Sequence, residues 1–166
     1  MEIFSWKVEY NLGIDVIDSQ HQQIVDYINE LSYAINRGDN DEVYEVLEKL
    51  KDYCLDHFDF EEQLMQQAGY ILLEAHQGVH RHFKERVDNI QEELLQGKDP
   101  MSVARRVRTW LMTWLIKHIQ HEDIDYVPHV KKILKKEESW IKSALTRVFG
   151  SKATHNSPYH TTHKSL

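Results

Sequence analysis

The chain has 166 residues, of which 41% are hydrophobic and 28% are charged, a composition that fits one compact globular domain. Its formal net charge of -7 argues against nucleic acid and anionic membrane surfaces as partners. The single cysteine excludes an internal disulfide. The N-terminus is too polar for a signal peptide, and no run of about 18 apolar residues is long enough to predict a membrane span. Together these features predict a cytoplasmic protein.

Two amphipathic helices are predicted in the first half of the chain, after an irregular arm that covers residues 1–13. Apolar or special side chains recur every three or four residues along the first helix, at Ile17, His21, Ile24, Ile28, Leu31 and Ile35. Gly38 supplies a C-terminal stop, and Asp39 or Asn40 can cap the next helix. The second helix, which closes near Gly69, carries the face Val43, Leu47, Leu50, Cys54, His57, Glu61 and Leu64.

The second half of the chain predicts two further long helices and a weaker one. The third helix ends at Gly97 and carries the face Leu72 or Leu73, His76, His80, Phe83, Val87, Ile90 and Leu94. Asp99 and Pro100 form an N-cap and a first helical position. The fourth helix then carries the face Ala104, Val107, Leu111, Trp114 or Leu115, and His118. Past Pro128, an amphipathic C-terminal helix is predicted over 131–149.

Four helices of about 20–28 residues joined by short turns predict an all-α protein with an up-down-up-down four-helix bundle. The bundle is predicted to span residues 1–130, including the N-terminal arm, and the additional C-terminal helix follows it. Residues 150–166 are polar and are predicted to be disordered.

Six polar groups interrupt the apolar faces near one end of the predicted bundle. They are His21, His57, Glu61, His76, His80 and His118. His21 and His57 lie 17 and 19 residues from the turn between their helices, and His80 and His118 lie 17 and 21 residues from the turn between theirs. At about 1.5 Å per residue, these heights agree within roughly 6 Å. The side chains are therefore expected to converge on one layer of the bundle interior.

The composition of this layer favours a shared cation. An isolated buried carboxylate costs several kcal/mol, and buried imidazoles also need partners. Imidazole and carboxylate without thiolate suit iron, zinc or manganese. Two pairs, His57 with Glu61 and His76 with His80, are each four residues apart, so each pair lies on one helix face. Asp123 lies five residues after the last histidine of the layer and can reach inward only if the helix ends or loosens there.

At these residues the chain resembles the hemerythrin family, in which a lone histidine after an acidic-Gln motif is followed by three more linked motifs. They read IDSQHQQIVDYIN around His21, HFDFEEQLM from His57, HQGVHRHF from His76 and WLIKHIQHED around His118. The resemblance covers about residues 1–130, and all seven ligand positions of the family are filled in order.

The resemblance implies two irons per chain, bridged by an oxo or hydroxo group. One iron would take His76, His80 and His118, the other would take His21 and His57, and both would share Glu61 and Asp123. Six coordination positions are then filled on the first iron and five on the second. The resemblance places O2 at the remaining open position.

Reversible O2 binding, for storage, delivery or sensing, is the leading interpretation of this resemblance. Five histidines and two carboxylates make the site less anionic than the carboxylate-rich sites of oxygen-activating enzymes. One alternative is a di-iron enzyme that acts on NO, peroxide or O2 at the same site, and another is an O2-responsive signalling or partner-binding module. The expected partners are O2 and a reductase or O2-consuming protein, and the chain is expected to be a monomer or a weak homo-oligomer.

Further residues are assigned around the expected site. Phe58, Trp114 and Leu115 are predicted to wall the O2 pocket and to keep bulk water out. Glu62, which follows the bridging Glu61, either forms a hydrogen bond with a ligand histidine or is a solvated surface residue. Cys54 is interpreted as a small buried hydrophobe.

Overall fold

The computed structural model describes residues 3–134 and 138–149, so the prediction of disorder for residues 150–166 lies outside the described part of the chain. Its six helices are α1 (Asp15–Arg37), α2 (Asn40–Gln67), α3 (Leu73–Leu95), α4 (Pro100–His118), α5 (Ile124–Leu134) and α6 (Glu138–Phe149). A 3-10 turn (Val8–Tyr10) precedes α1, and a π-helical segment (Ile119–Asp123) joins α4 to α5. The described ranges contain no strand, and the prediction of an all-α four-helix bundle is confirmed.

The helix ends follow the local signals in the sequence. Gly38 ends α1 in the left-handed region at φ 72°, a conformation that favours glycine. The Asp39 side chain accepts a hydrogen bond of 3.1 Å from the backbone N–H of Glu42 at the start of α2. Asp99 likewise accepts a bond of 2.9 Å from the N–H of Ser102 at the start of α4. These caps satisfy backbone donors that a helix cannot pair internally.

The core has two parts, a small cluster at one end of the bundle and a larger one that fills the rest of the interior. The smaller cluster lies beside the α1–α2 turn and contains Leu31, Ala34, Ile35, Val43, Val46 and Ala104. The larger cluster reaches the opposite end, where the α2–α3 turn lies, and it includes Phe58, Phe60, Leu64, Leu115 and Tyr126. Helix α1 packs against α2 and α4, and α2 also packs against α3 and α4. The polar layer predicted above therefore lies within the larger cluster.

The N-terminal arm is fixed to the bundle by hydrogen bonds on both sides of Trp6. The backbone N–H and carbonyl of Phe4 bond to the Asn29 side chain at 2.9 Å each. The Asp18 carboxylate accepts bonds of 2.8 and 3.0 Å from two backbone N–H groups at the end of the arm. The Trp6 ring centroid consequently lies 6.3 Å from that of His21, so the arm covers one side of the layer.

Helix α4 ends at His118 as the sequence pattern predicts, but the chain after it stays helical, which the pattern does not predict. Prediction placed its end near His118 and began a new helix after Pro128, because proline removes a helical hydrogen bond at a cost of about 3 kcal/mol. The chain instead continues through the π segment into α5, which contains Pro128 and ends at Leu134. Tyr126 and Val130 are fully buried, and this packing outweighs the effect of the proline. Of the predicted C-terminal helix over 131–149, residues 131–134 belong to α5 and residues 138–149 form α6, and residues 135–137 lie outside the described part of the chain. Within the described ranges, every helix is too short or too polar to span a lipid bilayer.

Helix α6 packs on the outer side of α2. Ala144 is fully buried, and the Phe149 ring lies 5.5 Å from Tyr53 and 6.1 Å from Phe60 between centroids. Trp140 also packs against the larger core cluster. The amphipathic pattern of this segment therefore serves packing within the chain.

Ala144→Asp is expected to lower the free energy of unfolding by about 2 kcal/mol, because a carboxylate cannot be buried at that position without a partner. Thermal unfolding followed by circular dichroism measures the effect. Ser143→Asp, on the exposed side of the same helix, is the matched control and should leave the midpoint unchanged. Equal midpoints for the two variants would show that α6 contributes no packing energy.

Candidate metal centre

Seven polar side chains meet in one buried layer near the α2–α3 end of the bundle. They are His21, His57, Glu61, His76, His80, His118 and Asp123, and none is more than 4% exposed. They come from α1, α2, α3, α4 and the π segment. The structure thus brings together every residue that the sequence analysis proposed as a metal ligand.

Three of the imidazoles form one compact group. The Nε2 atoms of His76 and His80 are 3.1 Å apart, and those of His80 and His118 are 3.2 Å apart. With Glu61, these three residues place one ligand atom each within 4.8 Å of one another, as a single cation requires. Such short distances between imine nitrogens suit lone pairs that point at a common centre.

A second, smaller group lies beside the first and shares a carboxylate with it. His21, His57 and Glu61 also place one ligand atom each within 4.8 Å of one another. Glu61 Oε2 lies 3.4 Å from His57 Nε2 and 3.6 Å from His80 Nε2, so this oxygen faces both groups. Its other oxygen, Oε1, accepts a hydrogen bond from the hydroxyl of Tyr126.

Asp123 is the second carboxylate between the two groups. Its Oδ1 lies 3.0 Å from His118 Nε2, and its Oδ2 lies 3.3 Å from His21 Nε2. The π-helical turn makes this possible, because its wider i to i+5 pattern brings residues five apart onto one side of the helix. The sequence analysis expected Asp123 to reach inward only if the helix loosens after His118. The π-helical turn is this loosening, and it ends at Asp123.

The hydrogen bonding of the layer fits a bound cation. Among the described residues, His21 Nε2, His57 Nε2 and Glu61 Oε2 are buried without a hydrogen-bond partner, and the two oxygens of Asp123 face imidazole nitrogens of His118 and His21 at 3.0 and 3.3 Å. Leaving so many buried polar atoms unsatisfied would cost several kcal/mol. A metal ion in each group would use the imidazole lone pairs and the carboxylate charges together, so the residues present fit a metal pair.

Burial keeps two of the imidazoles neutral. It lowers the pKa of His57 to about 3 and that of His76 to about 4, even though the nearby carboxylates oppose the shift. His118 behaves differently: burial lowers its pKa, but the adjacent Asp123 and Glu61 outweigh burial and raise it to about 10. At neutral pH, His57 and His76 therefore offer lone pairs directly, whereas metal binding must displace a proton from His118.

Acid is expected to destabilise the metal-free protein below pH 6.5. The unfolded chain protonates His57 and His76 near pH 6.5, and the folded chain does so only near 3 and 4. Between these pH values the unfolded chain binds more protons than the folded chain. The free energy of unfolding therefore decreases as the pH is lowered, by about 2 kcal/mol per imidazole between pH 6.5 and pH 4.5. Urea unfolding of chelator-treated protein at these two pH values measures the loss. His57→Gln should reduce it, and the exposed His82→Ala should not; a loss equal in all three proteins would contradict the assignment.

Two ligand candidates are oriented by side chains of the neighbouring helix. His80 Nδ1 donates to Glu62 Oε1 at 2.8 Å, the contact that one of the two interpretations of Glu62 predicts. His57 Nδ1 donates to Gln20 Oε1, also at 2.8 Å. Gln20 and Tyr126 were missed by the sequence analysis. Gln20 lies inside the motif that precedes His21, but its contact with α2 depends on helix packing that the pattern does not specify.

Aromatic rings cover the three-imidazole group. The Phe58 ring stacks on His80 with centroids 4.0 Å apart and planes 16° apart. The Trp114 ring stacks on His118 at 4.3 Å and 18°. Leu115 is 2% exposed on the same helix as Trp114. Phe58 and Trp114 thus form an apolar wall against the layer, and their role with Leu115 in excluding water from an O2 pocket stays a prediction.

Comparisons with known proteins agree with this geometry. The family model described as the hemerythrin HHE cation binding domain matches residues 12–130. Bacteriohemerythrin of Stenotrophomonas maltophilia (strain R551-3) is 36% identical over 156 residues, which cover 90% of this chain and 100% of the relative. Bacteriohemerythrin of Pseudomonas aeruginosa (strain LESB58) is 37% identical over 151 residues, which cover 87% and 97%. A crystal structure titled hemerythrin, wild-type, matches with a TM-score of 0.68 and 28% identity over 78% of this chain and 98% of that one.

Proposed function

Because the chain belongs to the hemerythrin family, we propose that it binds O2 reversibly at two irons held in the buried layer. The observation that carries this proposal is the division of five imidazoles into groups of three and two that share two carboxylates. A mononuclear site would not need two adjacent groups, and a purely structural layer would not leave so many buried polar atoms without partners.

The proposed ligands follow the two groups. His76, His80 and His118 would hold one iron, His21 and His57 would hold the other, and Glu61 and Asp123 would contribute to both. The second iron has one protein ligand fewer than the first, which leaves it a position for O2. When bound, the iron pair would supply electrons to O2, and the irons would recover these electrons when O2 is released. We further propose that residues 1–130 carry this function and that the remainder of the described chain stabilises it.

The surrounding side chains would hold the site rigid and dry. Tyr126 donates to Glu61 and fixes the orientation of that carboxylate. Phe58 and Trp114 cover two imidazoles, and Leu115 packs in the same core. Excluding water in this way would slow irreversible oxidation, because water and protons promote the loss of a reduced oxygen species from the site.

We favour a binder over an enzyme at this site because imidazoles outnumber carboxylates. Oxygen-activating di-iron enzymes of the ferritin-like class use several glutamates, and their negative charge stabilises more oxidised iron. Here the seven proposed ligands include only Glu61 and Asp123 as anions. The smaller anionic charge favours the return of O2 unchanged.

Iron analysis and rapid mixing test the proposed function together. Protein from iron-sufficient cells is expected to contain about two irons per chain, as the two ligand groups require. Mixing the reduced protein with O2 should give a long-lived visible absorption band that disappears under argon and returns over repeated cycles. One iron or fewer per chain would refute the di-iron site, and rapid decay of the band with substrate turnover would favour an enzyme. The exposed His82→Ala variant should behave as the unmodified chain.

Leu115→Ala is expected to accelerate autoxidation of the O2-bound protein roughly threefold or more, because a smaller side chain admits water to the wall of the site. Leu111→Ala is the matched control, since it removes the same atoms from a buried position one turn earlier on α4. The rate is measured from decay of the visible band in air. Equal rates for the two variants would remove Leu115 from this role.

A further inference from the structure

The two imidazoles that are oriented by side chains have chemically different acceptors. His80 Nδ1 donates to the carboxylate of Glu62, whereas His57 Nδ1 donates to the neutral amide oxygen of Gln20, both at 2.8 Å. We propose that Gln20 is a positioning residue that holds His57 in place while keeping it a weaker electron donor than His80. The two halves of the centre would then be electronically unequal. This inference rests on the proposed function.

The difference follows from the strength of the acceptor. A carboxylate is a charge-assisted acceptor, and it draws the Nδ1 proton toward itself more strongly than an amide does. Electron density moves through the ring to Nε2, so the imidazole becomes a more basic ligand. His80 therefore favours an oxidised metal in the three-imidazole group. His57, with its amide acceptor, gives the two-imidazole group no such assistance.

The helices deliver these acceptors by a repeated arrangement. On α1, Gln20 stands next to the candidate ligand His21 and reaches the imidazole of α2. On α2, Glu62 stands next to the candidate ligand Glu61 and reaches the imidazole of α3. Adjacent residues project about 100° apart around a helix. Each of these two helices thus directs one side chain into the layer and the adjacent side chain to a candidate ligand on the neighbouring helix.

Both acceptors are held in place. Gln20 is 5% exposed, so burial restrains its amide, although the amide Nε2 has no hydrogen-bond partner among the described residues. Glu62 is fixed from the other side, because the Gln77 amide donates to its second oxygen at 3.0 Å. The chemical difference between the two acceptors is therefore a constant property of the folded chain.

The surroundings of Gln20 suit a neutral residue. Gln20 lines a groove of about 980 Å³ between α1, α2 and α6, whose charged lining residues are three carboxylates, Asp15, Asp52 and Asp56, and one cation, Lys49. A carboxylate at position 20 would add a further negative charge beside these three. The amide supplies the acceptor that His57 needs without this repulsion.

The inequality bears on reversibility. The two-imidazole group is the half with a position for O2 under the proposed function. Weaker donation from His57 makes this half harder to oxidise permanently, so bound O2 leaves with its electrons returned. Stronger donation from His80 stabilises the other half, which takes no external ligand.

An exchange of the two acceptors tests the inference. The variants are Gln20→Glu, Glu62→Gln and the double variant that carries both, which has the same net charge as the unmodified chain. The readouts are the potential of the first one-electron reduction of the oxidised protein at pH 8 and the autoxidation rate in air. We expect a more negative potential for Gln20→Glu and a more positive one for Glu62→Gln. The double variant should autoxidise at least about threefold faster than the unmodified chain, because the stronger donor now faces the O2 position.

Gln20→Leu separates orientation from electron donation. It should lower the affinity for Zn²⁺, measured by competition with a chelator, about tenfold, because the ring of His57 loses its acceptor. Gln20→Glu should retain that affinity. A double variant with the potential and rate of the unmodified chain would overturn the proposal, since only total charge would then matter. Identical potentials for Gln20→Leu and Gln20→Glu would also overturn it. Loss of the proposed function would appear separately, as fewer than two irons in the unmodified chain.

Discussion

Removing the bound metal is expected to lower the thermal unfolding midpoint of this protein by at least about 10 °C. A ligand that binds only the folded chain stabilises it by about 4 kcal/mol per site at a thousand times its dissociation constant, and 1 kcal/mol shifts the midpoint of a chain of this size by about 2–4 °C, so one occupied site is enough for this shift. Without metal, the negative charges of the buried Glu61 and Asp123 carboxylates face only the imidazoles and the Tyr126 hydroxyl that the structure places against them. The metal-free protein is expected to keep its helices and to lose the stabilisation that bound metal would add.

The measurement is differential scanning calorimetry of protein as isolated, after chelation, and after reloading. Reloading with Zn²⁺ should restore most of the loss, because Zn²⁺ accepts the same imidazole and carboxylate ligands without redox chemistry. The His118→Ala variant should gain less from reloading, since one group then lacks an imidazole. An unchanged midpoint after complete removal of metal would show that the layer is satisfied without it and would contradict the proposed centre.

Glu61→Gln is expected to have the largest effect on metal content and O2 binding. Glu61 Oε2 faces both imidazole groups, at 3.4 Å from His57 and 3.6 Å from His80, so its charge contributes to both proposed irons. The amide keeps the volume but removes the charge, and an amide is a poor ligand for iron. Iron content should fall from about two per chain to one or fewer, and the visible band formed with O2 should be lost.

Glu62→Gln is the matched control, because it makes the same chemical change one residue further along α2. Glu62 reaches His80 Nδ1 and does not face the Nε2 atoms. Its variant should therefore retain two irons and the visible band. Colorimetric iron analysis with optical spectra decides the comparison, and two irons in Glu61→Gln would refute a shared role for that carboxylate.

The convergence of the histidines could be predicted from the sequence because it depends on simple geometry. Helix rise and turn positions place His21, His57, His80 and His118 at similar heights, and the structure brings their rings within about 5 Å of a neighbour in the layer. The spacing of apolar residues likewise predicts the four bundle helices. These features are local or periodic, and such features survive in a single sequence.

Contacts that depend on the rotation of one helix against another could not be predicted in this way. Gln20 and Tyr126 look like ordinary polar and aromatic helix residues, and only packing shows that they reach His57 and Glu61. The continuation of α5 through Pro128 could not be predicted either, because burial of its neighbours outweighs the local preference of proline to end a helix. The orientation of Asp123 was left conditional, because a π turn has no recognisable sequence signal.

The π turn at Ile119–Asp123 has a wider consequence for the chain that follows it. Relative to an uninterrupted α-helix, such a turn accommodates one extra residue and rotates everything after it by about 100°. Asp123 and the buried side of α5, with Tyr126 and Val130, therefore share one angular offset. Deleting one residue from this turn would rotate Asp123, Tyr126 and the rest of the buried side of α5 away from the bundle interior together. The length of this five-residue segment therefore sets both the position of the proposed ligand Asp123 and the packing of α5.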